Sequence, residues 1–390
     1  MEKNRFWIWE NENYPNFKYS IEEINPLLFN IIKKQAMLES SIKYLSTQEQ
    51  RYLFVETLAD EIIYSAYIEG DILKRDSVRS SIRKQFENLE VEFDDKHTDN
   101  IVSIQKDLNE NHNPLTVERL HSWHQFIFSE SSYDLTQVKL GCFREYDDML
   151  VVSGERTRRK VHYQAPPAKD LNKHIEKFLD YVNNSENHPF IKSAIAHIWF
   201  VQIHPYGDGN GRMTRNITNH ILSKSLGLNS SYFSISHSIS RDRGKYATIL
   251  EETNRYNKNP NMDLTNWIKW HTSKIADAIS LSLEVIEKSI KKTKFYDKIR
   301  DIKINEKQAV VINTLLVGRE KIVTNNLYRV LTKTNPTTAS RQLSDLVKKG
   351  ILKPFENQKG RSTAYELNIE EDFRDKLEQK MKIDQKVKRF

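Results

Sequence analysis

With 390 residues, 38% of them hydrophobic, and a formal net charge of +7, the chain is long enough for two or three domains of about 150 residues each. No apolar run approaches the ~18 residues that cross a bilayer. The start MEKNRFWIWENENYPNF has no apolar signal core, and one cysteine, Cys142, excludes an internal disulfide framework and a cysteine-built zinc site, so a reducing cytoplasm is expected. The charge is unevenly placed. Residues 297–390 hold 21 Lys and Arg against 13 Asp and Glu, a net of +8, which leaves 39 against 40 for residues 1–296. A module facing something anionic accounts for that excess, and so does a solvated lysine-rich tail.

Along the chain, helix dominates. TQEQRYLFVETLADEIIYSAYIEG, at about 47–70, spaces Leu53, Leu58, Ile62 and Ile63 for a helix and ends at Gly70, a natural C-cap. MLVVSG followed by VHYQAPP near 161–167 predicts a short β-hairpin. PFIKSAIAHIWFVQI, 189–203, opens with Pro189 at a first helical position and is apolar almost all round, as in a central buried helix. A further helix is expected from about Arg212 to Leu226, stopped by Gly227. From Asn266 a long, increasingly basic helix links to the C-terminal quarter. No repeat at solenoid periods and no low-complexity segment interrupts this pattern.

Between the two helices around 200 lies HPYGDGNGRMTR, residues 204–215. Gly207, Gly209 and Gly211 let backbone approach a ligand closely, and the free N–H groups at the following helix start make an anion nest. Arg212 and Arg215, three apart, reach one side and suit a polyphosphate. Asp208 is a hard oxygen ligand of the kind Mg²⁺ takes alongside phosphates and water. His204 is suited to accept a proton near neutrality. Each part has a bland alternative, since a helix-end His is commonly a cap and loop glycines serve turns. The loop is not a Walker A motif.

This stretch resembles the signature of the Fic family, HPF-x-[DE]-GNGR-x-x-R, departing only at Tyr206, where a buried phenol needs a partner. The resemblance implies a protein adenylyltransferase that moves AMP from ATP to a Ser, Thr or Tyr hydroxyl and releases pyrophosphate. It makes His204 the general base and Asp208 the Mg²⁺ ligand. Gly209, Asn210 and Gly211 with the loop amides would hold the α- and β-phosphates, Arg212 the β-phosphate side and Arg215 the γ-phosphate. Transfer of UMP, phosphocholine or phosphate stays open, although Gly211 leaves the room a β-phosphate requires. GCFREYDDMLVVSGERTRRKVHYQAPP is similar to the family's hairpin flap, which pairs with target backbone, and Tyr246 falls where relatives place residues around adenine. Ser65-Ala-Tyr-Ile-Glu69-Gly70 resembles the inhibitory motif [ST]-x-x-x-E-[GN], whose glutamate pairs with the second signature arginine, here Arg215. Some relatives use that glutamate to remove AMP. The tryptophan-rich first ~45 residues are similar to a docking region ahead of the inhibitory helix in a bacterial subset.

The expected organisation is 1–95 as a helical region with the inhibitory helix, 96–290 as the Fic core, and 291–390 as linker helix, winged helix-turn-helix and basic tail, a mainly α fold throughout. In the last part EKQAVVINTLL, TNNLYRVL, PTTASRQLSDLVKKGIL and LKPFENQKGRSTAYEL read as three helices and a β-hairpin wing. Thr337, Thr338, Ser340 and Arg341 could face a major groove, with Lys359 and Arg361 on phosphates. Such modules also serve protein docking and dimerisation. A DNA-binding regulator with a nucleotide-sensing core therefore stands as the alternative to an enzyme. The target protein, self-modification, a homodimer and removal of AMP stay open.

Overall fold

The computed structural model describes residues 6–88, 95–128, 139–153, 160–226, 230–316, 318, 320–355 and 363–368. Two compact units result, Met1–Glu284 and Val285–Phe390. The first contains helices α1 (Ile21–Ile42), α2 (Thr47–Glu69), α3 (Arg75–Glu87), α4 (Lys96–Glu110) and α5 (Val117–Ile127). Strands β1 (Leu150–Ser153) and β2 (Lys160–Gln164) follow, then α6 (Leu171–Asn184), α7 (Pro189–Ile203), α8 (Asn210–Leu226), α9 (Ile235–Ser240) and α10 (Arg243–Asn254). Helix α11 (Thr265–Lys298) contains the division between the units.

Local chemistry explains the elements that matter for the site. Ser46 and Glu49 close a capping box at the start of α2, the Ser46 hydroxyl accepting from the Glu49 N–H at 3.3 Å and the Glu49 carboxylate from the Ser46 N–H at 2.9 Å. The same helix ends at Gly70, whose φ of 97° is left-handed and open to glycine without strain. Helix α7 buries every residue except Pro189 and Val201, as its unbroken apolar run predicts. Helix α8 begins at Asn210, two residues earlier than expected, because the Met213 N–H already bonds the Gly209 carbonyl at 2.9 Å. Arg212 is therefore the third helical residue. The expected stop at Gly227 lies outside the described residues, as does the tip of the hairpin between β1 and β2. Those strands pair antiparallel, Leu150 opposite Gln164, with an irregularity between Val151 and Val152.

Phe178, Trp199, Phe200, Tyr206, Met213 and Ile217 share one core with Leu120 and Trp123, which packs α7 and α8 against α5 and α6. A second cluster, with Val55, Leu58, Ile62, Val78, Ile82 and Val102, holds α2 against α3 and α4. Helix α2 is also pinned by a buried carboxylate. Glu61 accepts from Asn219 Nδ2 at 3.0 Å, Ser234 Oγ at 2.9 Å, the Ser236 N–H at 2.9 Å and the Ser236 hydroxyl. Replacing it by Ala leaves those donors unpaired in the core, and the expected cost is ~3 kcal/mol or more. A drop in the urea unfolding midpoint, smaller for Glu61→Gln, is the measurement.

The tryptophan-rich start is laced to the base of the hairpin. Trp9 Nε1 donates to the Gln164 carbonyl at 2.8 Å, and the Trp7 ring meets Tyr163 edge-on at 5.5 Å.

The second unit has α12 (Glu306–Leu316), α13 (Asn325–Thr332), α14 (Pro336–Lys348), β3 (Leu352–Pro354) and β4 (Tyr365–Leu367). This is the expected order of three helices and an antiparallel strand pair. Val323 bridges to Tyr365, adding a third short segment beside β4. Its own core comprises Val311, Ile312, Leu315, Tyr328, Leu343 and Leu346. Ser340 and Arg341 are exposed on α14 and Thr338 half-buried, its N–H capped by Asn335 Oδ1 at 2.8 Å. Lys359 and Arg361 lie outside the described residues. No described helix is long and apolar enough to cross a membrane.

Candidate active site

His204 ends α7 in a left-handed conformation, φ 47° and ψ 57°, which turns the chain into the glycine-rich loop. Its Nδ1 lies 3.1 Å from the Val201 carbonyl. A carbonyl only accepts, so Nδ1 carries the proton and Nε2 keeps its lone pair. Burial lowers the His204 pKa to about 4, with the Arg144 charge adding to it against the Val201 bond. The ring is thus neutral at pH 7, a base in the right form.

The loop is held from several sides. Asn210 Oδ1 accepts from the Tyr206 N–H at 3.0 Å and its Nδ2 donates to the Tyr206 carbonyl at 2.8 Å, so both ends of this side chain brace the turn. The Tyr206 phenol meets His121 Nδ1 at 3.0 Å, which supplies the partner a buried phenol requires. His124 stacks on Tyr206 at 4.1 Å. Because His124 Nδ1 accepts from the Gly141 N–H at 3.0 Å, its Nε2–H donates to the Asp208 carbonyl at 3.1 Å. Arg144, buried, donates from Nε to the His204 carbonyl at 2.9 Å and from its amino groups to Tyr146 and Pro166. One guanidinium thereby ties the signature to the segment leading into the hairpin and to its far end. A Cβ at Gly209, where φ is 77°, would come within 2.7 Å of the Phe128 ring. The Asp208 side chain itself is at the exposed mouth.

Both signature arginines are buried and both face carboxylates from the end of α2. Arg215 donates from Nε to Ser65 Oγ at 2.9 Å and from one amino group to the Ser65 carbonyl at 2.9 Å and Glu69 Oε1 at 2.8 Å. The Glu69 carboxylate lies over the first turn of α8, its Oε1 2.1 Å from where a Cβ at Gly211 would stand. That is the favourable end of the helix dipole for a negative charge. Burial alone would raise the Glu69 pKa, but Arg215, helped by Arg212 and Arg243, outweighs it and the net shift is downward. Arg212 donates to Asp71 Oδ2 at 2.7 Å and its guanidinium lies 4.8 Å over the Phe128 ring.

Tyr246 is buried and stacked on Trp270 at 5.4 Å. The Thr218 hydroxyl donates to Thr214, so it accepts from His197 Nδ1, and the Tyr246 hydroxyl donates to His197 Nε2 at 2.9 Å. Burial pushes the Tyr246 pKa up to about 12. The structure brings His204, Asp208, Gly209, Asn210, Gly211, Arg212 and Arg215 together on one loop and helix start, with Ser65 and Glu69 against them. Arg144, His121, His124 and Asp71 were not picked out from sequence. The first three are remote in the chain and carry no local signal, whereas Asp71 directly follows Gly70 and was readable as a second acid on the same turn.

His204 and the core histidines His124, His197, His220 and His271 share the neutral state. Burial lowers His204 and His124 to about 4, and His220 and His271 to about 3. The unfolded chain protonates these rings near ~6.5. The fold is therefore most stable above that value and loses stability as pH falls from 6.5 towards 4. A decrease on the order of a few kcal/mol between pH 7.5 and 5 is expected in urea unfolding.

Comparison with known proteins gives the same outline. Residues 7–87 match a domain of unknown function, DUF4172, and residues 114–222 match the Fic/DOC family. The protein adenylyltransferase Fic of Drosophila willistoni is 37% identical over 78 residues, covering 18% of this chain and 16% of the relative. Its Nematostella vectensis namesake is 39% identical over 66 residues, 16% of each chain. The chain thus spans about a sixth of the length of these curated relatives. A crystal structure of a Fic family protein from Desulfovibrio desulfuricans G20 superposes with a TM-score of 0.53 at 18% identity, covering 92% of this chain and 99% of that one, which establishes a shared fold. Through residues 114–222, which enclose the 204–215 loop, this chain carries a domain of the Fic/DOC family.

Proposed function

We propose that this chain is a protein adenylyltransferase, moving AMP from ATP to a Ser, Thr or Tyr hydroxyl of a protein, and that Glu69 restrains it. The observation that carries the reading is His204, a neutral imidazole with its Nε2 lone pair available, at the head of the short loop that leads into α8, whose first two turns carry two buried arginines. His204 takes the proton of the target hydroxyl, whose oxygen attacks the α-phosphorus. The bond to the β-phosphate breaks and pyrophosphate leaves. Arg212, Arg215 and the loop amides neutralise the charge of the phosphates, and such transfer is driven chiefly by positioning and charge.

A metal arriving with the nucleotide fits the residues present. Among the described residues no cluster of three His, Cys, Asp or Glu could hold an ion, but the exposed Asp208 supplies the one carboxylate that Mg²⁺ needs when phosphates and water complete its shell. Bound there, Mg²⁺ would offset phosphate charge.

Incubation of the full chain with host lysate, Mg²⁺ and ATP labelled at the α-phosphate tests the reading. Label should pass to protein, and γ-labelled ATP should leave none; γ-label on protein, or no transfer even from the Glu69→Gly variant, overturns it. For the C-terminal unit the accompanying proposal is a winged helix. Thr337, Ser340, Arg341, Ser344 and Lys348 form an exposed, acid-free stripe along α14, which supports the alternative of a DNA-binding regulator. A salt-sensitive gel shift with duplex DNA, together with absent AMP transfer, favours that alternative.

A further inference from the structure

The turn that ends α2 carries two acids, Glu69 and Asp71, on either side of Gly70. Gly70 sits at φ 97°, its N–H bonding the Tyr67 carbonyl at 3.0 Å while the Asp71 N–H returns to the Ala66 carbonyl at 3.0 Å. This left-handed closure turns the chain sharply after the helix, so Glu69 projects from the last helical turn and Asp71 from the residue just past it. They meet different arginines. Glu69 is 2.8 Å from Arg215 and Asp71 is 2.7 Å from Arg212, the two arginines standing three apart on α8.

The geometry points to Asp71 as a second anionic prong that competes with nucleotide phosphate for Arg212, so that the 69–71 turn occupies both phosphate-gripping arginines together. Arg212 is the buried member of its pair, with 8% of its side chain exposed against 25% for Asp71. The Phe128 ring covers one face of the guanidinium. Asp71 therefore stands on the more accessible side of Arg212, where an incoming anion would arrive. A carboxylate and a phosphate oxygen seek the same N–H donors of a guanidinium, and one held in place by a capped turn competes without an entropy cost of its own. Removing Glu69 alone would clear the carboxylate from Arg215, which keeps its Ser65 bonds, and leave Arg212 still paired. Occupancy by nucleotide is then set by the whole turn rather than by one glutamate.

This inference rests on the reading of the loop as a nucleotide site. The test is calorimetric titration of the full chain, in Mg²⁺, with an ATP analogue whose α,β bridge cannot be cleaved. Wild type, Asp71→Asn, Asp71→Ser, Glu69→Gly and the Asp71→Asn/Glu69→Gly double variant are compared. Both Asp71 variants should bind about 10-fold tighter than wild type, and the double variant tighter than Glu69→Gly alone. Binding within twofold of wild type overturns the role of Asp71. Weaker binding overturns it too, making Asp71 a residue that positions Arg212 for phosphate. If no variant, Glu69→Gly included, binds the analogue, the nucleotide-site reading itself falls and takes this inference with it.

Discussion

Replacing Glu69 by Gly should raise AMP incorporation about 10- to 10²-fold. Glu69 is bonded to a buried guanidinium that is otherwise enclosed by Ser65 and lies over the start of α8, with 35% of its own side chain exposed. With only the arginine fully buried, breaking the pair costs ~1–3 kcal/mol, and each ~1.4 kcal/mol is a factor of ten in an equilibrium that must open before phosphate can reach Arg215. The same change removes a contact between α2 and α8, so a modest fall in melting temperature should accompany the gain. Acid does not imitate the mutation near neutrality. The Glu69 carboxyl titrates below its ordinary range, so the stability it contributes is present above that range and is lost only as pH falls through the lowered value. Labelling of wild type should therefore stay low from pH 6 to 8.5. Equal labelling of wild type and Glu69→Gly, with both folded, would remove the claim of restraint.

Replacing His204 is expected to lower transfer ~10²- to 10⁴-fold, the usual worth of a general base. The comparison belongs in the Glu69→Gly background, where activity is high enough to lose. Backbone conformation complicates a simple alanine. At φ 47° a residue with a Cβ is strained, and Asn tolerates that region better than Ala. His204→Asn therefore keeps the turn while removing the base. If chemistry is the cause, both variants lose kcat by a similar factor and still bind nucleotide as tightly as their parent. A large loss in Ala with near-normal activity in Asn would assign His204 to shaping the turn instead. The pH profile offers a separate check, since a base held to about 4 in the free protein keeps kcat/KM flat from neutrality down to about pH 5.

Much of the first unit was legible because its signals are local. Ser46 and Glu49 mark one end of α2 and Gly70 the other within the same two dozen residues. The apolar run of α7 and the glycines after it place a loop between two helices without reference to any partner. The Glu69–Arg215 pair was open to inference only through resemblance to a family motif, for nothing local says that two side chains 146 positions apart meet.

The sequence by itself determined the helices, their caps and the loop of chemically apt side chains, because hydrogen bonding and side-chain periodicity act over a few residues. Only the tertiary structure decided which nitrogen of His204 keeps its lone pair, that Arg144 and His124 brace the loop, that Asn210 turns inward to Tyr206, and that Asp71 faces Arg212. The Arg144, His124 and Asp71 contacts join segments brought together by the packing of α7 and α8 against their neighbours, the His204 and Asn210 bonds are local ones that the folded turn selects, and burial creates electrostatics that no residue has alone.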